Sequence, residues 1–240
     1  MSRRIFVVAD AHVSEKNGNL DAFFAMLRKF EDCPGDIVFL GDIFDLWIGL
    51  SRYERTYHHD FLKWCERQKG GRTVGFIEGN HEFFVCQHHR TRFTWCDTAR
   101  FDCEGITFVH GDLINQHDTP YLRFRRLTKN PVTKFLVRFM PFGVRLVQAL
   151  KERLRTTNMA HKMGLPEDQI EAFGRNLKRN AQCHESTFLV LGHFHRQKSW
   201  TLPGGGVIHA LPAWVDSQTV SVIGWTERIT LEHVHWKDLN

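Results

Sequence analysis

Short apolar blocks alternate with helical patterns along the first half of the chain. Ile5–Ala9, Ile37–Leu40 and Val74–Ile77 are brief, mostly apolar runs without helical spacing, as expected of strands buried on both faces. Behind Asn19, a helix-capping residue type, Leu20, Phe23, Phe24 and Leu27 recur at helical spacing, and a second helix is predicted over Tyr53–Gln68. Arg100–Cys103 and Ile106–His110 flank Glu104-Gly105 and predict a hairpin. From about Asp118 to Gln182 the pattern is helical, punctuated by Pro131, Pro141, Gly143, Gly164 and Pro166. Strand patterns return at Thr187–Leu191, Val207–Leu211, Thr219–Ile223 and Ile229–His235. The expected fold class is α/β with mixed sheets: one domain over residues 1–240, interrupted by a helical insertion at 119–182.

Composition changes this picture little. With 42% hydrophobic and 25% charged residues the chain is an ordinary globular protein, with no low-complexity segment or internal repeat. No stretch approaches the ~20 apolar residues of a membrane span. The run after Arg4 is too short for a signal-peptide core, so a cytoplasmic protein is expected. Its six cysteines are scattered without a C-x-x-C pair and read as reduced, partly buried thiols.

Charge changes it more. Between Tyr121 and Lys162 lie 11 Lys or Arg residues and a single acid, Glu152, while the whole chain carries only +5. The basicity therefore sits in the insertion, and the remainder of the chain is acidic. Phe124, Phe135, Leu136, Val137, Phe139, Met140, Phe142, Leu146, Val147 and Leu150 interleave with those cations. Helices of this kind must bury one face and offer the other to water or anions. Three readings follow: lid helices with a solvated basic face, an interfacial surface docking on anionic lipid, or nucleic-acid binding. Embedding of the aromatics among aliphatics disfavours the last, which would need a stacking platform.

The candidate chemistry lies in five motifs placed just after predicted strands. They are Asp10-Ala11-His12, Gly41-Asp42-Ile43-Phe44-Asp45, Gly79-Asn80-His81-Glu82, His110-Gly111-Asp112 and Gly192-His193-Phe194-His195. Strand C-terminal ends of α/β sheets are where ligands bind. Carboxylate, imidazole and amide donors without thiolate suit Mn²⁺, Fe²⁺ or Zn²⁺ and argue against a zinc knuckle. Each motif has a blander reading. Asp10 could cap a turn, Asp45 could orient a ligand or cap the next helix, and Asp112 could form a turn or support a neighbouring ligand. Trp47 reads as a core plug, and the remaining histidines as surface or packing residues, with His161 and His209 the least bland.

In this order, D-x-H, G-D-x-x-D, G-N-H-E, H-G-D and G-H-x-H resemble the calcineurin-like metallophosphoesterase superfamily. The resemblance implies a sandwich of two mixed β-sheets flanked by helices, and hydrolysis of a phosphoric ester or anhydride by two divalent ions. Asp10, His12, Asp42 and His195 would hold one ion; Asp42, Asn80, His110 and His193 would hold the other, with Asp42 bridging. His81 would meet a phosphate oxygen as general acid or electrostatic stabiliser. Glu82 stands where the family usually has Asp, and is expected to orient His81.

A second resemblance narrows the substrate. Trp47-Ile48-Gly49, Val109-His110-Gly111-Asp112, Asp118, Tyr121 and Arg123-Phe124-Arg125 are similar to the UDP-2,3-diacylglucosamine pyrophosphohydrolases of lipid A biosynthesis, which also carry a helical insertion here. That likeness implies a lid over acyl chains and release of UMP and 2,3-diacylglucosamine 1-phosphate. It also implies substrate contacts from Asp118, Tyr121, Arg155 and Asn158, Mn²⁺ as the first choice of metal, and peripheral attachment of a monomer to the inner face of the cytoplasmic membrane. No nucleic-acid partner is expected. His81 and Leu211-Pro212-Ala213-Trp214 depart from that subgroup, which has Arg and Gly-Asp-Trp there. The alternative is an enzyme of the same superfamily acting on a soluble nucleotide or another phosphodiester.

Overall fold

The computed structural model describes residues 3–139, 167–180, 188–203, 205–225 and 228–240. Its strands are β1 (Arg4–Val8), β2 (Asp36–Leu40), β3 (Trp47–Ile48), β4 (Val74–Ile77), β5 (Glu82–Phe83), β6 (Trp95–Asp97), β7 (Arg100–Cys103), β8 (Ile106–Val109), β9 (Phe188–Leu191), β10 (Lys198–Thr201), β11 (Val207–Ala210), β12 (Thr219–Trp225) and β13 (Ile229–His235). One sheet has the order β13-β12-β1-β2-β4-β6, a second the order β10-β11-β9-β8-β7, and β3 pairs with β5 beside them. Both large sheets are mixed: β1, β2, β4 and β6 run parallel with β12 antiparallel at β1, and β8, β9 and β11 run parallel between antiparallel β7 and β10.

Alternation of side chains along these strands builds the layers. Ile5, Val7, Val38, Leu40 and Ile77 face Ile106, Phe108, Phe188 and Val190, forming the core between the sheets. The opposite face of the first sheet, with Phe6, Val8, Phe39 and Phe76, packs on helices α1 (Leu20–Asp32) and α2 (Thr56–Gln68) through Phe23, Met26, Phe61 and Trp64. The outer face of the second sheet is covered by helix Glu167–Asn180, whose Ile170 and Phe173 meet Leu189, Leu191 and Ile208. That helix, predicted within the insertion, is thus a layer of the sandwich. Helices α4 (Thr119–Thr128) and α5 (Pro131–Phe139) lie elsewhere, with Phe124 and Val137 against Ile48, Leu50, Phe83 and Phe84.

Parallel register decides where the motifs emerge. Val7 is opposite Val38, Leu40 opposite Ile77, and Val109 opposite Leu191. The loops bearing Asp10, Asp42 and Asn80 therefore leave one sheet together, and those bearing His110 and His193 leave the other at a common edge.

Several elements differ from the sequence reading. The predicted helix from Tyr53 divides into a short 3₁₀ turn, Ser51–Tyr53, and α2. Short strands β3, β5, β6 and β10, and helix α3 (Val85–His89), were too brief for periodicity to reveal. Asn19 precedes α1 but makes no side-chain cap; its carbonyl accepts from Ser14 N and its amide donates to Ala11 O, bracing the chain beyond His12. Cys86 and Cys96 are joined in a disulfide between α3 and β6, against the expectation of reduced thiols throughout, whereas Cys33, Cys65 and Cys103 are free. β6 pairs with β4, and Cys86 N donates to Glu78 just past the end of β4; together these hold α3 beside β6, with the bonded cysteines at a Cα separation of 5.5 Å that their spacing in sequence did not announce. Trp47 is the predicted core plug: fully buried, stacked on His58, with its indole N–H on Glu54.

Candidate metal centre

Five of the seven candidate ligands sit on left-handed backbone: Asp10 (φ 52°), His12 (41°), Asp42 (52°), His193 (70°) and His195 (53°). L-residues avoid this region at a cost of roughly 1–2 kcal/mol each, so the surrounding structure must impose it. Backbone cross-links do so. Asp10 N donates to Gly41 O at 3.1 Å and His12 N to Asp42 O at 2.9 Å, while Val215 N donates to Asp10 O at 3.1 Å. Close packing demands glycine at two neighbours: a Cβ on Gly79 would lie 2.2 Å from Asp42 Oδ1, and one on Gly41 would lie 2.4 Å from His110 Nδ1.

Three imidazoles have their Nδ1 atoms spoken for. His110 Nδ1 donates to Leu40 O (2.9 Å), His81 Nδ1 to Asp45 O (2.6 Å) and His195 Nδ1 to the Asp216 carboxylate (3.0 Å). Each arrangement leaves Nε2 facing the centre, and for His110 and His195 this is the usual way an outer hydrogen bond selects the metal-binding nitrogen. Asp216 was not found from the sequence; it lies on the short helix Trp214–Ser217, and only the fold brings it to the site. Asp45 contributes its carbonyl, a role its side chain did not advertise.

Glu82 does a different job from the one expected. Its carboxylate accepts from Asp42 N, Ile43 N and Gly79 N, each at 2.8 Å, and so stitches the second loop to the third. Burial and the neighbouring Asp42 charge push Glu82 up to about 7. Burial would also raise Asp42, but the His81 and His110 rings outweigh it and hold Asp42 well below the usual carboxylate range. Burial opposes charge on His110; Asp42 overrides it and lifts His110 to about 10. Burial and the charge of His110 push His193 down to about 4.

This arrangement fits cations. Asp10 Oδ1 is buried with no hydrogen-bond partner, 3.7 Å from His195 Nε2. His12 Nε2 and His195 Nε2 stand 3.3 Å apart, His12 Nε2 is 3.9 Å from Asp42 Oδ2, and His110 Nε2 is 3.5 Å from Asp42 Oδ2 and 3.1 Å from Asn80 Oδ1. Two trios, Asp10-His12-His195 and Asp42-His110-His193, each bring their ligand atoms within 4.8 Å, and His12-Asp42-His81 forms a third. Lone pairs crowded this closely in a buried site call for positive charge between them.

The calcineurin-like phosphoesterase family model matches residues 3–197. The chain belongs to that family. It is a metal-dependent phosphoric ester or anhydride hydrolase, and the family implies two divalent ions. A UDP-2,3-diacylglucosamine hydrolase of Azotobacter vinelandii is 26% identical over 200 residues, covering 79% of this chain and 80% of the relative. The enzyme of that name from Pseudomonas aeruginosa PAO1 is 25% identical over 202 residues, covering 80% and 82%. A dimetal phosphatase from Danio rerio overlays with a TM-score of 0.48 at 15% identity, covering 96% and 95% of the two chains.

The residues predicted to touch substrate lie on or beyond α4. Asp118 caps that helix, its carboxylate accepting from Tyr121 N at 3.0 Å. The Tyr121 hydroxyl and the Arg125 guanidinium both donate to Asp112, which burial would raise but Arg125 and His110 hold low. Lys129, mostly but not fully buried, lies 4.0 Å from Glu78 and donates to Gly79 O at 2.5 Å. The inward side of α4 therefore carries polar groups beside Phe124, while Leu127 is 70% exposed. Arg155, Asn158 and His161 lie outside the described residues.

Proposed function

We propose that this enzyme hydrolyses the pyrophosphate of UDP-2,3-diacylglucosamine to UMP and 2,3-diacylglucosamine 1-phosphate, with two Mn²⁺ ions, at the inner face of the cytoplasmic membrane. The observation that carries the reading is the pair α4–α5. Rooted beside the ligand loops, it holds out Leu127, Val132, Phe135, Leu136 and Phe139, all more than half exposed, among Arg123, Arg126, Lys134 and Arg138. Apolar side chains ringed by cations suit an acylated, anionic substrate and the anionic surface it resides in. The names of the relatives support the same substrate. Among the described residues no helix is long and apolar enough to cross a membrane.

Asp10, His12, Asp42 and His195 would hold one ion, and Asp42, Asn80, His110 and His193 the second. When bound, the ions supply Lewis acidity to the phosphoryl oxygens and lower the pKa of a water. His81 Nε2, 3.8 Å from Asp42 Oδ2, would meet a phosphate oxygen held by the ions; with Nδ1–H on Asp45 O, it is the doubly protonated ring that would donate there as charge develops. Its ring is pre-oriented by Asp45 O, so little reorganisation accompanies that step.

The test is UMP release from the acylated nucleotide in detergent micelles with Mn²⁺, beside the unacylated UDP-sugar. Turnover at least about 100-fold faster on the acylated compound is expected. Comparable turnover of simple dinucleotides would support a soluble nucleotide or other phosphodiester instead. The observation favouring that second reading is His81, the general superfamily residue at a position where the lipid A enzymes carry Arg.

A further inference from the structure

Helix α4 directs Tyr121 and Arg125, four residues apart on one face, into the protein, and its C-cap residue Lys129 turns the same way. Its cations end on two buried carboxylates that border ligand loops. Asp112 is two residues beyond His110, and Glu78 is two residues before Asn80. Arg125 and the Tyr121 hydroxyl meet Asp112, and Arg125 also donates to Thr98 O at 2.9 Å. Lys129 lies 4.0 Å from Glu78 and donates to the carbonyl of Gly79, the residue bonded directly to Asn80. Glu78 in turn accepts from Cys86 N at 2.7 Å, tying the same strand end to α3. The loops gripped in this way are the ones whose side chains meet, with His110 Nε2 at 3.1 Å from Asn80 Oδ1.

We propose that Arg125 and Lys129 are positioning residues: by holding the His110 and Asn80 loops they set the affinity of one of the two metal positions, which makes that position depend on the seating of α4. The inference rests on the pairing of Asn80 with His110 at one ion. Neither cation touches the reacting atoms; their effect passes through Asp112, Glu78 and the Gly79 carbonyl. Outer hydrogen bonds of this kind typically govern metal affinity by 10–100-fold.

The experiment titrates metal-free full-length protein with Mn²⁺, following bound ion by electron paramagnetic resonance and stoichiometry by elemental analysis. For Lys129→Met one of the two binding steps is expected to lose about 10–100-fold in affinity, with the other step within about twofold of the parent and Lys129→Arg recovering most of the loss. Lys129→Met leaves Glu78 buried without its cation, so Lys129→Met/Glu78→Gln is measured beside it. The double variant should show the same selective weakening, because Gly79 O still lacks its donor. Arg125→Gln with Asp112→Asn repeats the test at the His110 loop, and Lys134→Met, whose amine meets Gln87 and the Phe84 ring rather than Asp112, Glu78 or Gly79 O, should leave both steps unchanged. Two wild-type binding steps in folded Lys129 variants, or equal weakening of both, overturn the proposal. Asn80→Ala separates the premise from the inference: if that variant still binds two ions normally, the pairing of ligands is at fault.

Discussion

Two parts of this protein handle buried charge in opposite ways. At the edge of the sandwich, carboxylate and imidazole atoms converge with more lone pairs than hydrogens to fill them, down to a buried Asp10 oxygen with no partner. Beneath α4 the charges are matched within the chain, Arg125 against Asp112 and Lys129 against Glu78. The first region is completed by cations from outside. The second is electrostatically complete, and what it leaves unsatisfied is apolar: the exposed side chains of α4 and α5. The contrast teaches that the chain's basicity is not one resource. Part of it is structural and faces inward, and only the remainder is available to an anionic surface.

The largest effect should come from the centre of the unmatched region. Asp42→Ala removes the carboxylate near which His12, His81 and His110 gather, and turnover should fall by on the order of 10³-fold with metal content below two per chain by elemental analysis. His81→Ala should cost about 10²–10³-fold in kcat while metal content stays near two. Unchanged turnover would remove His81 from the reaction, and lost metal would make it a ligand. A smaller loss is expected for Asp216→Asn, which weakens the grip on His195: about 10-fold in metal affinity, read by chelator competition.

Away from both regions, His58 gives a calibrated control for burial alone. Burial pushes its pKa down to about 3, with Trp47 stacked on the ring. The folded state keeps His58 neutral while the unfolded chain takes up a proton below its ordinary pKa of 6.5. Its contribution is therefore complete above pH 6.5 and is lost as the pH falls toward 3. At pH 5 the loss should be about 2 kcal/mol. Urea melts at pH 7 and 5 should show a flatter pH dependence for His58→Phe than for the parent. The smallest change in stability, within about 0.5 kcal/mol, is expected for Phe135→Asp on the exposed face. Sedimentation with vesicles of anionic lipid should nonetheless fall in that variant; undiminished binding would detach the apolar face from the membrane reading.

How legible each region was follows from what fixes it. Strands β1, β2 and β4 and the motifs behind them could be read directly, because apolar blocks followed by polar side chains are a local pattern. The seven candidate ligands converge because parallel register brings loop ends together, a consequence of those same blocks. What supports them was hidden. Asp216, the Asp45 carbonyl and the three N–H groups on Glu82 act across long sequence distances, and a carbonyl leaves no trace in residue type. The helical segment misled in a more instructive way. Periodicity correctly marked α4 as amphipathic and Phe124 packs inward as it requires, but two buried carboxylates also draw in Arg125 and Lys129, side chains that composition assigns to water. Cys86–Cys96 was missed for a similar reason: the seating of α3 on Glu78 beside β6 makes them neighbours, and no spacing rule does.

The anchoring of α4 also has a mechanical side. Lifting it from the sandwich would take Arg125 and Lys129 from Asp112 and Glu78 and free the Thr98 and Gly79 carbonyls. α5 is moored as well, with Tyr53 and Arg52 donating to the Val137 and Arg138 carbonyls. A bulky substrate approaching the ligand loops would therefore meet the two helices as a fixed wall rather than a moving flap.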